Sequence, residues 1–344
     1  MKNLNGQYCF THTNGEGIYL FTLRNEKGTS VSITNYGAII TAFILSNPRF
    51  GSKDIVLGFD KVEDYLAEEY LAGYSYFGSA IGRYGNRIKN GEFHIDGKKY
   101  TVARNKGNDH LHGGIEGFDK KVWEFESGND QQLRLKYLSP DGEEGYPGNL
   151  ESLLHFELTD NDELIYEYFA TTDQPTAVNL THHSYFNLDG KGHIGSQQVK
   201  INASTILEQD DNFVVTGNEI PVEGNRYDFR EMKRIDKGWD ATDGYDQSFV
   251  LDKNDNSCTL AAEAYSETSQ IKLEVYTTEP LVHYYTGKWI APMAGKNGDS
   301  YGPFSGFCFE TQKHPNAINI PSFPNTILRP GENYYTKTVY KVIH

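Results

Sequence analysis

The chain has 344 residues, with 47 acidic against 32 basic side chains and a formal net charge of −15. At about 150 residues per domain this length suits one large domain or two small ones, and an aromatic content of 13% excludes a disordered chain. The acidic balance argues against nucleic acid or an anionic membrane as the main partner, because either requires a basic face, and it favours a neutral, polar ligand over a phosphorylated one.

Cys9, Cys258 and Cys308 are odd in number and far apart, so they suggest neither a disulfide framework nor a CxxC metal pattern. Residues 1–13 are polar and lack the apolar stretch of a signal peptide. No apolar run approaches 18 residues, so a membrane span is not expected. A reducing, cytoplasmic setting fits these features.

In chain order, residues 60–67 form the best helical candidate, with Asp60 as cap, Glu63 three residues on, and Val62 and Leu66 on one face. Asp96-Gly97 lies between two short alternating runs, residues 93–95 and 98–102. Asp-Gly suits the positive φ of a type I′ turn, so this segment reads as a hairpin. Residues 142–149 and 287–305 read as loops. Residues 163–170, 270–276 and 337–343 alternate polar with β-branched or aromatic residues, the pattern of strands with one buried face. Pro330-Gly331 turns the chain into its last strand. Many strands with few helices predict an all-β antiparallel sandwich or barrel. No linker or repeat divides the chain, so residues 1–344 are expected to form a single domain.

Five segments carry candidate chemistry. In Asp109-His-Leu-His112-Gly-Gly, the His-x-His spacing places His110 and His112 on one side of a strand, one way to chelate a metal. In Asn179-Leu-Thr-His182-His183-Ser-Tyr-Phe-Asn187, adjacent histidines face opposite ways, so only one of them serves a given pocket. Alternation in Ser305-Gly-Phe-Cys-Phe-Glu310-Thr-Gln312 sets Phe307 and Phe309 on one face, Cys308 and Glu310 on the other. A carboxylate among apolar neighbours has its charged form disfavoured, the condition for a general base working near neutrality. Asn86 and Arg87, in Gly82-Arg-Tyr-Gly-Asn86-Arg87-Ile88, can donate to hydroxyls, and Asp246, in Gly244-Tyr-Asp246, can accept from them. Each group also has an ordinary structural use, as a packed histidine, a turn residue or an arginine tied to a carboxylate.

Together these motifs change the reading. Gly82-Arg-x-x-Asn-Arg-Ile, Leu111-His-Gly-Gly, Asn179-Leu-Thr-x-His-Ser-Tyr-Phe-Asn-Leu188, Gly244-Tyr-Asp and Gly306-Phe-x-x-Glu-Thr-Gln312 follow one another in an order and spacing that resembles the aldose 1-epimerases. The connector Val215-Thr-Gly-Asn-Glu-Ile-Pro-Val222, Tyr227-Asp-Phe-Arg230 and the ending Leu328-Arg-Pro-Gly-Glu332 are similar to that family too. The resemblance implies a large antiparallel β-sandwich of the galactose mutarotase-like type, with few short helices, an open cleft and no metal or organic cofactor. It implies Glu310 as general base, His183 as general acid and His112 as a second active-site histidine near the ring oxygen. Arg87 and Asp246 match positions that bind sugar hydroxyls in the family, and Asn86 beside Arg87 is a further candidate to donate to a hydroxyl. Some relatives carry Gln, which helps hold substrate, where this chain has His283. His182 stands where Asn is common, and alternation points it away from the sugar.

The implied reaction interconverts the α and β anomers of a free aldose such as galactose or glucose. It would be served by raised pKa values at Glu310, through partial burial, and at His183, through a nearby negative charge from Glu310 or Asp246. Three other readings compete with it. A non-catalytic sugar-binding sandwich has no need of an aligned acid and base. A metal enzyme would use His110, His112 and His183. A hexose 6-phosphate epimerase needs a cationic clamp, for which Arg83 and Arg87 are the close pair.

Overall fold

The computed structural model describes residues 4–49, 51–239 and 243–344; the first three residues of the polar N-terminal stretch lie outside them. Alternation at period two decides the architecture. In the strand Glu163–Thr172, Leu164, Tyr166, Tyr168 and Ala170 are buried between less buried neighbours. In Tyr334–Ile343, Tyr334, Thr336, Thr338, Tyr340 and Val342 are buried. The two strands pair antiparallel, with Glu163 opposite Lys341 and Ala170 opposite Tyr334. Each large side chain so removed from water contributes about 1.5–3 kcal/mol.

These strands lie in a nine-stranded antiparallel sheet that runs from Glu124–Gly128 at one edge to Lys233–Arg234 at the other. A six-stranded antiparallel sheet takes the spatial order Tyr185–Phe186, Phe307–Gln312, Leu281–Tyr285, Asp246–Leu251, Ala203–Gln209, Val215–Pro221. The two sheets face each other. The Tyr340 hydroxyl donates to the Phe309 carbonyl at 3.3 Å, the Thr311 and Thr338 hydroxyls meet at 2.6 Å, and the Phe186 and Tyr340 rings pack edge to face. A five-stranded sheet is built in sequence order from Gln7–Thr11 to Gly51–Asp54. One apolar core runs through these layers, from Leu4 to Val342. The protein is thus predominantly β, with few short helices.

The hairpin at Asp96-Gly97 forms as expected: both residues have positive φ (51° and 79°) and Ile95 pairs with Lys98. The strand expected over residues 270–276 begins at Lys272 rather than at 270, because Gln270 turns with φ 60°. The expected helix over residues 60–67 does not form as such. A 3-10 turn, Val62–Leu66, is followed by a short α-helix, Glu68–Ala72, and neither has a side-chain cap. Asp60 instead accepts the Asn297 backbone N–H at 2.9 Å, so the tertiary contact takes the carboxylate that local pattern assigned to capping. Residues 142–149 and 287–305 are largely irregular, although the latter stretch contains a small ladder between Met293–Ala294 and Ser300–Tyr301.

Candidate active site

Three neighbouring strands of the six-stranded sheet supply one wall of a cavity of about 330 Å³. Their register puts Ser248 opposite His283, and His283 opposite Glu310. The predicted alternation holds in Phe307–Gln312. Phe309 stacks on the core ring of Tyr284, with Phe307 beside it, whereas Glu310 lines the cavity at 1% exposure. Asp246, two residues before Ser248, lines it as well.

The paired histidines divide as alternation requires. His182 is in the core between Ser184 Oγ (3.1 Å) and the Ala38 carbonyl (3.3 Å). His183 faces the cavity between the Tyr76 and Tyr185 rings, with centroid distances of 5.7 and 4.9 Å. Its Nε2 is 3.5 Å from Glu310 Oε1, and its Nδ1 is 3.5 Å from Cys308 Sγ.

His110 and His112 do not share a side, contrary to the His-x-His reading. The strand stops after Leu111, His112 takes φ 51°, and its ring enters the cavity. His110 stays buried between the Ala103 carbonyl and the Tyr146 hydroxyl, both at 2.6 Å. The glycine after His112 makes the bend feasible: Gly113 has φ 89°, and a Cβ there would lie 1.7 Å from the Gly82 carbonyl oxygen.

Ligand atoms of His112, His183 and Glu310 lie within 4.8 Å of one another, a spacing that a small cation could bridge. The hydrogen bonding does not suit one. The Asn86 backbone N–H donates to His112 Nδ1 at 3.2 Å, which leaves the proton of the neutral ring on Nε2. Neither nitrogen then keeps a lone pair for an ion, and His112 is a hydrogen-bond donor.

Arg83 and Arg87, close in sequence, have separate fates. Arg83 is 2% exposed and spends its donors on the Ser139 hydroxyl (2.7 Å) and on the carbonyls of Ser139 (2.8 Å), Pro140 (2.8 Å) and Pro147 (3.0 Å). It is structural, and it is held by carbonyls rather than by a carboxylate. Arg87 lines the cavity with its guanidinium 5.4 Å from the Phe213 ring, and its buried Nε has no hydrogen-bond partner among the described residues. Asn86 also lines the cavity, and its side-chain oxygen accepts the Arg87 backbone N–H.

Of the imidazoles near Glu310, His183 and His283 have pKa values displaced in opposite directions. Burial lowers the His183 pKa, and the Glu310 and Asp246 charges oppose this only in part. The expected rise at His183 is therefore wrong, because desolvation outweighs the neighbouring anions. Burial also works against charge on His283, but its 2.9 Å hydrogen bond to Asp246 and the field of Glu310 prevail, and its pKa is raised. Asp246 is pushed up by burial and pulled down further by His283, Arg87 and His183, so it stays a carboxylate. His112 is held neutral by burial and by the cations around it.

The cavity also brings in Tyr74, Tyr76, Lys106, Phe213, Tyr285 and Trp289, none of which sequence reasoning singled out. The Tyr-rich stretch 70–76 was a visible signal; Phe213 and Trp289 come from loops whose path only the fold decides. Tyr76, Asn86, His112 and Phe213 all have positive φ, between 51° and 62°. Such backbone costs on the order of 1 kcal/mol or more per residue and gathers where a site needs it.

Fold and cavity together define an antiparallel β-sandwich protein with a buried histidine–carboxylate pair open to one hollow. Residues 19–341 match the family model described as aldose 1-epimerase. The chain is 42% identical over 332 residues to a galactose mutarotase of Homo sapiens, covering 95% of this chain and 94% of that one. It is 33% identical over 338 residues to an aldose 1-epimerase of Escherichia coli, covering 96% of each. Among solved structures, a GalM/aldose epimerase homologue from C. elegans superposes with a TM-score of 0.88 at 30% identity, covering 94% of this chain and 98% of that one. A galactose 1-epimerase from Lactobacillus acidophilus gives 0.84 at 28% identity, covering 99% of each. The chain belongs to the aldose 1-epimerase family.

Proposed function

We propose that this protein is an aldose 1-epimerase acting on free hexoses such as galactose and glucose, with Glu310 as general base and His183 as general acid. The observation that carries this reading is the 3.5 Å approach of His183 Nε2 to Glu310 Oε1, both buried yet both lining one pyranose-sized cavity. Glu310 Oε2 has no hydrogen-bond partner among the described residues and is available to accept a proton.

In the proposed cycle Glu310 removes the proton of the anomeric hydroxyl while imidazolium His183 protonates the ring oxygen. The C1–O5 bond breaks to give the open aldehyde, which turns about C1–C2. Reclosure on the other face returns both protons with the roles exchanged. His112, protonated at Nε2, donates a hydrogen bond near the ring oxygen. The lowered His183 pKa makes its charged form less populated at neutral pH but a stronger acid once formed. Asp246, Arg87 and Asn86 satisfy hydroxyls, with His283 as a further polar group on the same wall, and aromatic rings cover the C–H face.

Family membership supports aldose 1-epimerase activity over a non-catalytic sugar-binding role. A free sugar is favoured over a hexose 6-phosphate because the guanidinium of Arg83 is already committed to buried carbonyls and hydroxyls, which removes one arm of the clamp. We take residues 1–344 as one domain, since the apolar core draws on both ends of the chain. The partner expected is a small sugar, with neither nucleic acid nor membrane required. Among the described residues no helix is long and apolar enough to cross a membrane, and a cytoplasmic setting remains part of the proposal. The test is polarimetry on freshly dissolved α-D-galactose, α-D-glucose and their 6-phosphates. Acceleration confined to the free sugars is expected; acceleration of the phosphates alone, or of none, would overturn the reading.

A further inference from the structure

His283 has partners of its own. Its Nε2 lies 2.9 Å from Asp246 Oδ1, and its Nδ1 lies 2.9 Å from Ser248 Oγ, in a ring only 3% exposed. A hydroxyl can donate to Nδ1 or accept from it, and the carboxylate accepts from Nε2–H in either case, so this chain of bonds holds the ring both neutral and protonated. His283 also stands directly opposite Glu310 in the strand register, and His183 approaches that same carboxylate. Three imidazoles, those of His112, His183 and His283, therefore gather at one buried carboxylate, and of these only His283 is hydrogen-bonded to a second carboxylate. A Gln at this position would have no proton to gain.

We propose that His283, held by Asp246 and Ser248, is a positioning residue that competes with His183 for protonation beside Glu310 and thereby sets the alkaline limit of turnover. The proposal rests on the aldose 1-epimerase reading above. The titratable and charged groups that face His283 are Asp246 on its neighbouring strand, Glu310 on the other, Arg87, His183 and His112. Asp246 and Glu310 favour a charged ring, whereas Arg87 opposes it. Charge on His283 in turn disfavours charge on His183. Like charges sharing a low-dielectric pocket push each other's protons off, so the imidazole with the better counter-ion keeps its proton and the other gives way.

The experiment has two arms. In the first, kcat/KM for α-D-galactose is followed by polarimetry from pH 5 to 10 for the wild type and for His283→Gln. Removing the competing cation should move the alkaline limb upward by about one pH unit, roughly a tenfold gain in kcat/KM on that side relative to the optimum. A limb that stays in place or moves down overturns the proposal, even if KM changes, because a purely structural or hydroxyl-binding role would not shift it upward. In the second arm, the histidine Cε1–H resonances of the sugar-free protein are titrated by NMR. His283 should titrate above His183, and His283→Gln should raise the His183 midpoint. The reverse order in the wild type overturns the proposal even if the variant does not fold. Absence of mutarotation in the wild type would instead sink the functional reading, leaving the NMR order to judge the competition for the proton.

Discussion

Replacing Glu310 by Gln tests the acid–base pair most directly. The substitution keeps shape and volume, so packing in Phe307–Gln312 is conserved, but the amide cannot take the anomeric proton. A positioned base is worth about 10²–10⁴-fold, or about 3–5 kcal/mol of barrier. Stability should change little. The substitution relieves a buried carboxylate oxygen that has no partner among the described residues and loses the attraction between Glu310 and the rings around it. These two contributions oppose each other, and a net change within about 1 kcal/mol is expected. With about 2.1 cal/mol/K of unfolding entropy per residue, a chain of 344 residues would shift its Tm by no more than about 2 °C. The assays are polarimetric kcat and KM, with calorimetry alongside. Glu310→Gln should lose at least a hundredfold in kcat, with KM and Tm nearly unchanged. A variant within threefold of wild-type kcat would refute the base assignment, and a fall in Tm of many degrees would show the carboxylate to be structural instead.

Asp246→Asn should raise KM by about tenfold with a smaller effect on kcat, because a charge-assisted bond to a sugar hydroxyl becomes a neutral one; initial-rate polarimetry over a range of sugar concentrations checks this, and an unchanged KM counts against hydroxyl binding there. Arg83→Ala should cost about 3 kcal/mol or more by stranding the carbonyls of Ser139, Pro140 and Pro147; urea unfolding measures it, and a cost under 1 kcal/mol would contradict the structural role. Acid should destabilise the fold through histidines buried as neutral rings: His110 is held down to about 4 and His182 to about 3, both by burial. The unfolded chain binds these protons below about pH 6.5 and the folded one does not. Stability is therefore present above that pH and lost as pH falls, by about 2 kcal/mol per ring at pH 5. Asp119, pushed up to about 6 by burial, offsets part of this because its folded form gains a proton first. His182→Asn should shrink the loss between pH 7 and 5 in urea titrations; an identical pH dependence in both proteins would show that His182 does not contribute.

Alternation along single strands was legible in the sequence, because period two is a property of the backbone and needs no partner. It placed Leu164 and Tyr166 in the core, separated His182 from His183, and put Glu310 on the face opposite Phe309. The Asp96-Gly97 hairpin was equally local, since two residues with positive φ set it. Wherever the outcome depended on what another segment supplied, sequence was silent or misleading. Asp60 met the Asn297 backbone instead of capping a helix, and His112 left the side shared with His110 because its backbone turns at φ 51°. Arg83 and Arg87 parted because one lies under a ring of carbonyls and the other under an aromatic ring.

The charge states beside Glu310 belonged wholly to the tertiary structure. A histidine's pKa is the balance of lost water against gained neighbours, and residues 183, 246, 283 and 310 come together only when separate strands do. The same residue type ends with a lowered pKa at His183 and a raised one at His283 because only the second has a carboxylate within hydrogen-bonding distance on its own strand pair. The sequence by itself determined which residues face inward along each strand; the fold decided which of those inward residues meet, and with what charge.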